Sequence, residues 1–176
     1  MIFTETKLKG AYIIELEKLE DPRGFFARSW DQNVFNAHGL ISDVKQQNTS
    51  FTIQKGTVRG LHYQLAPHQE TKLINCLRGA IYDVIVDLRT DSPTYKQWLG
   101  VELSAGNYKM IYVPKDFAHG FQTLENNSLA TYLVTEVYTP YAEAGIRYND
   151  PSIGIEWPLP ISSTSDKDAN WPDFTK

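Results

Sequence analysis

Apolar and β-branched residues recur along this chain in short runs that Gly, Pro, Asn and Asp cut off before a helical period can establish itself. Examples are Tyr12-Ile13-Ile14-Glu15-Leu16, Val58-Arg59-Gly60-Leu61-His62-Tyr63 and Ile81-Tyr82-Asp83-Val84-Ile85-Val86-Asp87-Leu88. That punctuation predicts strands separated by turns. Further strands are expected over 98–103, 109–113, 120–124 and 129–134. About ten short strands with almost no helix make an antiparallel all-β sandwich or barrel. Arg78-Gly79, between the runs 72–77 and 80–88, predicts a tight hairpin, because Gly supplies the positive φ such a turn needs. One short peripheral helix is expected over 31–38, capped by Asp31 or Ser29 and ended by Gly39. From Asp150-Pro151 onward, Pro158, Pro160, Pro172 and a Ser/Thr cluster predict an extended tail with a turn or short helix over 165–168.

The chain has 176 residues, no compositional seam and no internal repeat, so it reads as one domain over 1–176. With 41% apolar and 22% charged residues it holds enough material for a packed core and is too apolar for disorder. Its 17 basic and 21 acidic residues leave a formal charge of −4. That balance gives no footprint for a phosphate backbone, so no nucleic-acid partner is expected, while a small anion held by a local basic cluster remains open. The single cysteine, Cys76, cannot form an intrachain disulfide or a cysteine-rich zinc site, which fits a reducing compartment. Met1-Ile2-Phe3-Thr4-Glu5-Thr6-Lys7 does not read as a secretory leader, and no window approaches the ~18 apolar residues of a membrane span. The expectation is a cytoplasmic protein without a membrane partner.

Four histidines carry the possible chemistry: His38, His62, His68 and His119. His38 closes the expected helix, where a cation is favourable for structural reasons alone. Strand alternation around His62 places Gly60, His62 and Gln64 on one face and Arg59, Leu61 and Tyr63 on the other, so the first face meets water or a polar cavity. His62, His68, Glu70 and, far along the chain, His119 form a broken echo of the pattern by which cupin barrels bind a metal. The required pair of histidines two residues apart is missing, and His68, after Pro67, reads as a surface loop residue. Lys72 begins a strand, where lysine is normally solvated. Pointed inward beside His62, it would set a cation next to a base, which suits removal of a proton beside a carbonyl. Tyr132 alternates with Ala130 and Val134, a pattern that core packing explains on its own.

Several ordered motifs then coincide: Asp21-Pro22-Arg23-Gly24-Phe25-Phe26, Gln46-Gln47-Asn48, Lys55-Gly56-Thr57-Val58-Arg59-Gly60-Leu61-His62-Tyr63-Gln64 and Lys72-Leu73. Pro114-Lys115-Asp116-Phe117-Ala118-His119-Gly120-Phe121, Asn149-Asp150-Pro151 with Trp157-Pro158, and Lys167-Asp168 follow. In this set the chain resembles the dTDP-4-dehydrorhamnose 3,5-epimerase family over nearly its whole length. The resemblance implies an all-β cupin-type antiparallel jelly roll, or double-stranded β-helix, with short peripheral helices. It also implies a cofactor-independent epimerase of a nucleoside-diphosphate 4-keto-6-deoxy sugar, by default converting dTDP-4-dehydro-6-deoxy-D-glucose to dTDP-4-dehydro-L-rhamnose. By similarity His62 is the general base, Asp168 its carboxylate partner, Lys72 the cation near the sugar's C4 oxygen and Tyr132 the acid on the opposite face. The residues alone would equally have allowed Asp83 as the partner of His62. The same similarity assigns substrate contacts to Arg23, Phe26, Gln46, Asn48, Arg59, His119, Tyr138, Glu143 and Lys167. Arg23 and Arg59 fall by the diphosphate, and Tyr138 stacks on the base. The segment 23–26 commonly comes from a neighbouring subunit in this family, which implies a homodimer.

The chemistry explains why such a set is needed. A proton on carbon beside a ketone is a weak acid, so the enolate oxygen needs a donor, worth ~3 kcal/mol. A positioned base and acid each add roughly 10²- to 10⁴-fold. Inversion requires reprotonation from the other face, which one base cannot deliver. Two departures from the family pattern are Arg28 in place of Glu and Gln47 in place of Asp, both expected near the nucleotide, and they leave the nucleobase open. Four rivals stand beside the leading reading. They are a cupin that shifts the keto group between C4 and C3, a mono-epimerase of a GDP- or CDP-linked sugar, a metal-dependent cupin using His62, His68, Glu70 and His119, and a noncatalytic binding module.

Overall fold

A computed structural model describes residues 1–174. Its strands in chain order are β1 (Ile2–Glu5), β2 (Tyr12–Glu15), β3 (Leu19–Asp21), β4 (Gly24–Phe26), β5 (Gln46–Thr52), β6 (Val58–Gln64) and β7 (Lys72–Arg78). After these come β8 (Ala80–Asp87), β9 (Trp98–Ser104), β10 (Met110–Val113), β11 (Phe117–Thr123), β12 (Ser128–Val134) and β13 (Glu143–Gly145). Two sheets, in the orders β1-β2-β10-β7-β12-β5 and β13-β6-β11-β8-β9, pair their strands antiparallel throughout, and β3 with β4 makes a separate ribbon. This is the jelly-roll plan. Period-two alternation on facing strands supplies its interior. Ile74, Ile111 and Ala130 of one sheet meet Ile81, Ile85 and Leu103 of the other.

The outer faces are covered too. Helix α1 (Gln32–Ala37) lays Phe35 on Ile14, Leu73, Met110 and Tyr112 of the six-stranded sheet. Asp31 caps it by accepting from the backbone N–H groups of Asn33 and Val34, as the sequence predicts. On the five-stranded sheet, Ile146, Ile153, Trp157 and Phe174 of the tail pack over Leu61, Val84, Val86 and Ala118. Within that tail the short helix α2 (Asp166–Ala169) is capped by Ser165, which accepts from the Asp168 N–H. The tail is therefore a tied strap that carries Asp168 to β6.

Two local expectations fail. Arg78-Gly79 is not a hairpin, because β7 and β8 lie in different sheets, and Gly79 is where the chain crosses between them. Gly79 does adopt a positive φ of 70°, and a Cβ there would press on Ser128. Strict alternation along β6 also fails, because its register against β11 shifts between His119 and Phe121. Arg59 consequently faces the same cavity as His62. The two strands touch at Gly60, φ 113°, where a Cβ would lie 2.6 Å from the Gly120 Cα. The polar run 46–52 was not expected to be a strand, yet it forms β5, whose alternate residues Gln46, Asn48 and Ser50 are the more buried ones.

Candidate active site

Between the sheets lies a cavity of about 450 Å³ that adjoins a chamber of about 240 Å³, and His62, Lys72 and Tyr132 line both. The combined cleft is of small-molecule size. One wall is β6 and β11, which bring Arg59, His62 and His119; the other is β5, β7 and β12, which bring Asn48, Lys72 and Tyr132. His62 and Tyr132 thus project from opposite walls. His62 and His119 are direct cross-strand partners on theirs, and Tyr132 sits between Asn48 and Ile74 on its own.

His62 Nε2 lies 2.6 Å from Asp168 Oδ1, and the other carboxylate oxygen accepts the Gly60 N–H at 3.1 Å. Burial alone would push this carboxyl up. The hydrogen bond and charge of His62, with the Gly60 and Ser165 contacts, outweigh burial and hold Asp168 below the usual carboxylate range. An ionised Asp168 accepts only, so Nε2 carries the hydrogen and Nδ1 is the nitrogen left with a free lone pair. Asp83 does not serve His62. It is fully buried and faces His119 Nε2 at 2.8 Å, with its Oδ1 unpartnered. Burial pushes the Asp83 carboxyl up against the opposing charges of His119 and Lys72.

Lys72 is buried, contrary to the rule for a lysine at a strand start. Its ammonium donates to Glu70 Oε1 at 3.0 Å and to the His62 carbonyl at 3.4 Å. An ammonium has three hydrogens, so one remains for a ligand in the cavity it lines. Burial pushes the Tyr132 phenol up, the Glu70 charge adds to that, and Arg59 opposes it. The phenol is held in its proton-carrying form.

The smaller chamber holds Gln46, Asn48, Tyr138 and Glu143. Glu143 ties Tyr138 and Lys167 together, accepting from the phenol at 2.7 Å and pairing with the ammonium. The Gln46 side chain accepts the Tyr138 N–H at 2.8 Å. Arg59 is fixed by donation to Thr52 Oγ1 at 2.9 Å. Eleven of the thirteen expected site residues therefore meet in one cleft. Arg23 and Phe26 do not line the cleft of their own chain. They sit on the β3–β4 ribbon, with the Arg23 side chain 90% exposed and paired to Asp21 and Phe26 64% exposed.

His68 is half-buried at the surface and meets the hydroxyl of the exposed Tyr141 at 3.1 Å. Glu70 is turned to Lys72, so His62, His68, Glu70 and His119 do not converge as a metal-dependent cupin would need. Among the described residues no cluster of His, Cys, Asp and Glu could hold a metal ion. Gln47 points away from the chamber to Thr131 Oγ1 at 3.3 Å, and Arg28 pairs with Asp31 at 3.0 Å. Sequence reasoning missed Ser50, Ser163 and Thr164 in the cavity wall. The Thr164 hydroxyl is buried without a partner. The Ser/Thr cluster read as tail was the available signal, since it leads directly into Asp168.

The family model described as dTDP-4-dehydrorhamnose 3,5-epimerase matches residues 5–176. The protein of that name from Methanothermobacter thermautotrophicus is 42% identical over 172 residues, covering 96% of this chain and 92% of the relative. Among solved structures, the Bacillus anthracis dTDP-4-dehydrorhamnose 3,5-epimerase with TDP and PPi bound is 43% identical, with a TM-score of 0.94 over 98% of this chain and 99% of that one. The Legionella pneumophila 3,5-epimerase in complex with dTDP-4-keto-L-rhamnose is 36% identical, with a TM-score of 0.89 over 99% of both chains.

Proposed function

The chain belongs to the dTDP-4-dehydrorhamnose 3,5-epimerase family and is an isomerase of dTDP-linked 4-keto-6-deoxy sugars; from that premise we propose how its own residues carry out the reaction. His62 Nδ1 removes the proton from the carbon beside the ketone, while Asp168 holds Nε2–H and balances the imidazolium that forms. The third hydrogen of the Lys72 ammonium meets the ketone oxygen as it takes negative charge, in a cleft that screens little. Tyr132, on the facing wall, returns a proton to the opposite face and the configuration inverts. Each site then resets by exchange with solvent.

Charge and shape support the placement of the rest of the substrate. Arg59 and Lys167, with His119 beside them, are placed for the diphosphate, as guanidinium and ammonium groups suit phosphate oxygens. Gln46, Asn48 and Tyr138 in the smaller chamber take the nucleoside. In our reading Arg23 and Phe26, exposed on their ribbon, serve the cleft of a second copy, so the working unit is a homodimer with an exchanged N-terminal segment. The chain otherwise works as one cupin-type domain, without a cofactor, in the cytoplasm.

The observation that carries this reading is the pairing of His62 with Asp168 on one wall while Lys72 and Tyr132 stand on the other. In heavy water, with dTDP-4-dehydro-6-deoxy-D-glucose as substrate, deuterium is expected at the inverted sugar carbons. A sugar whose ring protons stay unlabelled through long incubation would refute the proposal.

A further inference from the structure

We propose that Glu70 is a positioning residue for this reaction: it aims the Lys72 ammonium at the substrate carbonyl and sets a fixed negative charge beside the Tyr132 phenol. The inference rests on the epimerase reading above and adds a residue which that reading leaves idle. Glu70 lies just before β7 and lines the smaller chamber with Lys72, His62 and Tyr132. Its Oε1 takes the ammonium at 3.0 Å, and the two side chains are 13% and 9% exposed. Its Oε2 faces Gln64 Nε2 at 3.4 Å. Gln64 is itself locked: its amide donates to the carbonyls of His68 and Val137, and its oxygen accepts the Thr139 N–H at 2.7 Å. The ammonium thereby orients Oε1, and the locked amide limits the room left to Oε2.

A buried ion pair is a poor device for stability, since desolvating two charges roughly cancels their attraction. Here the pair lines the same chamber as the base and the acid, where its charge reaches the chemistry. Glu70 and Lys72 line the cleft with Tyr132 from the β7 side, Arg59 and His62 from β6, and His119 from β11; Asp83 on β8 is engaged by His119, Asp168 by His62, and Glu143 by Tyr138 and Lys167, while β5 offers neutral Gln46, Asn48 and Ser50. Among these, Glu70 is the group whose charge pushes the Tyr132 phenol up, with burial acting the same way and Arg59 against it. That charge keeps the phenol protonated to higher pH, so it sets where the basic limb of activity falls.

Two readouts test this, one of them independent of the substrate. In Glu70→Gln, kcat for the dTDP-4-keto sugar should fall at least tenfold with KM within threefold, and the basic limb of the kcat profile should move to lower pH. Glu70→Asp keeps the charge but not the reach, so it should lose kcat while holding the wild-type basic limb. With ring-labelled tyrosine, the Tyr132 resonance, assigned by its loss in Tyr132→Phe, should titrate at lower pH in Glu70→Gln than in wild type. Wild-type kcat and an unmoved Tyr132 titration in Glu70→Gln would overturn the inference. So would equal shifts of the basic limb in both variants, because charge would then not be the cause. An inactive wild-type protein would refute the epimerase reading and leave the titration to judge Glu70.

Discussion

Replacing Asp168 with Asn tests the dyad with almost no change in volume. The carboxylate now accepts twice, from His62 Nε2 at 2.6 Å and from the Gly60 N–H at 3.1 Å. An amide offers one acceptor oxygen and two donor hydrogens. If its oxygen stays with Gly60, its NH₂ faces Nε2 and forces the hydrogen to Nδ1, the nitrogen proposed as the base, which can then take no proton. If its oxygen turns to His62, the buried Gly60 N–H loses its partner at a cost of about 1–3 kcal/mol, and no charge remains to balance the imidazolium. Either outcome removes most of what a positioned base contributes, so the rate should drop about 10³-fold, equivalent to about 4 kcal/mol of barrier. The assay is deuterium wash-in at the sugar carbons, followed by proton NMR, with thermal unfolding as the control for fold. A folded Asp168→Asn protein that exchanged deuterium within threefold of wild type would refute the tautomer argument and with it the role of Nδ1.

Tyr132→Phe should retain wash-in of deuterium driven by His62 while inversion falls about 10²-fold, read from ring coupling constants; equal loss of both would place the phenol on the same face as the base. Asp87 gives a stability test away from the cleft. It is fully buried and accepts from Arg89, Ser92 and Thr94 at 2.6–2.8 Å, which outweighs the burial that would push it up and brings its carboxyl to about 2. A folded value below the ordinary 3.8 means the stabilisation is present above pH 4 and is lost as pH falls through about 2. The size is roughly 2.5 kcal/mol. Asp87→Asn should flatten that acid limb in urea titrations, and an unchanged limb would remove Asp87 from the account.

The strands were legible wherever one face is apolar, because a period of two is visible in a single sequence. β5 was not, since one of its faces meets a polar cavity and the other meets water, so nothing apolar alternates along it. Arg78-Gly79 reads as a hairpin locally. Only the partners of β7 and β8, contributed by β10, β12, β9 and β11, decide that the two strands belong to different sheets. His62 was recognisable as a polar side chain on a strand, but its carboxylate lies 106 residues away and residue types alone could not choose Asp168 over Asp83. That choice came from resemblance. The geometry then gave the two cavity histidines an acid each, Asp168 to His62 and Asp83 to His119.

The two family departures illustrate how strand geometry settles what a substitution can affect. Because β5 alternates, Gln46 and Asn48 share the smaller chamber while Gln47, between them, is turned to Thr131 and the outer face near Trp30. A change of charge at 47 therefore alters the packing of the loop before α1 rather than the donors presented to a base. Arg28 is likewise engaged locally, bound to the same Asp31 whose other oxygen caps α1, so its guanidinium supports a helix N-terminus within its own chain. Neither departure changes a side chain that lines the cleft of its own chain. Gln46 and Asn48 line the smaller chamber instead, beside a Tyr138 tied through Glu143 to Lys167, so substitutions there are the ones that would alter what the proposed nucleoside site offers a base.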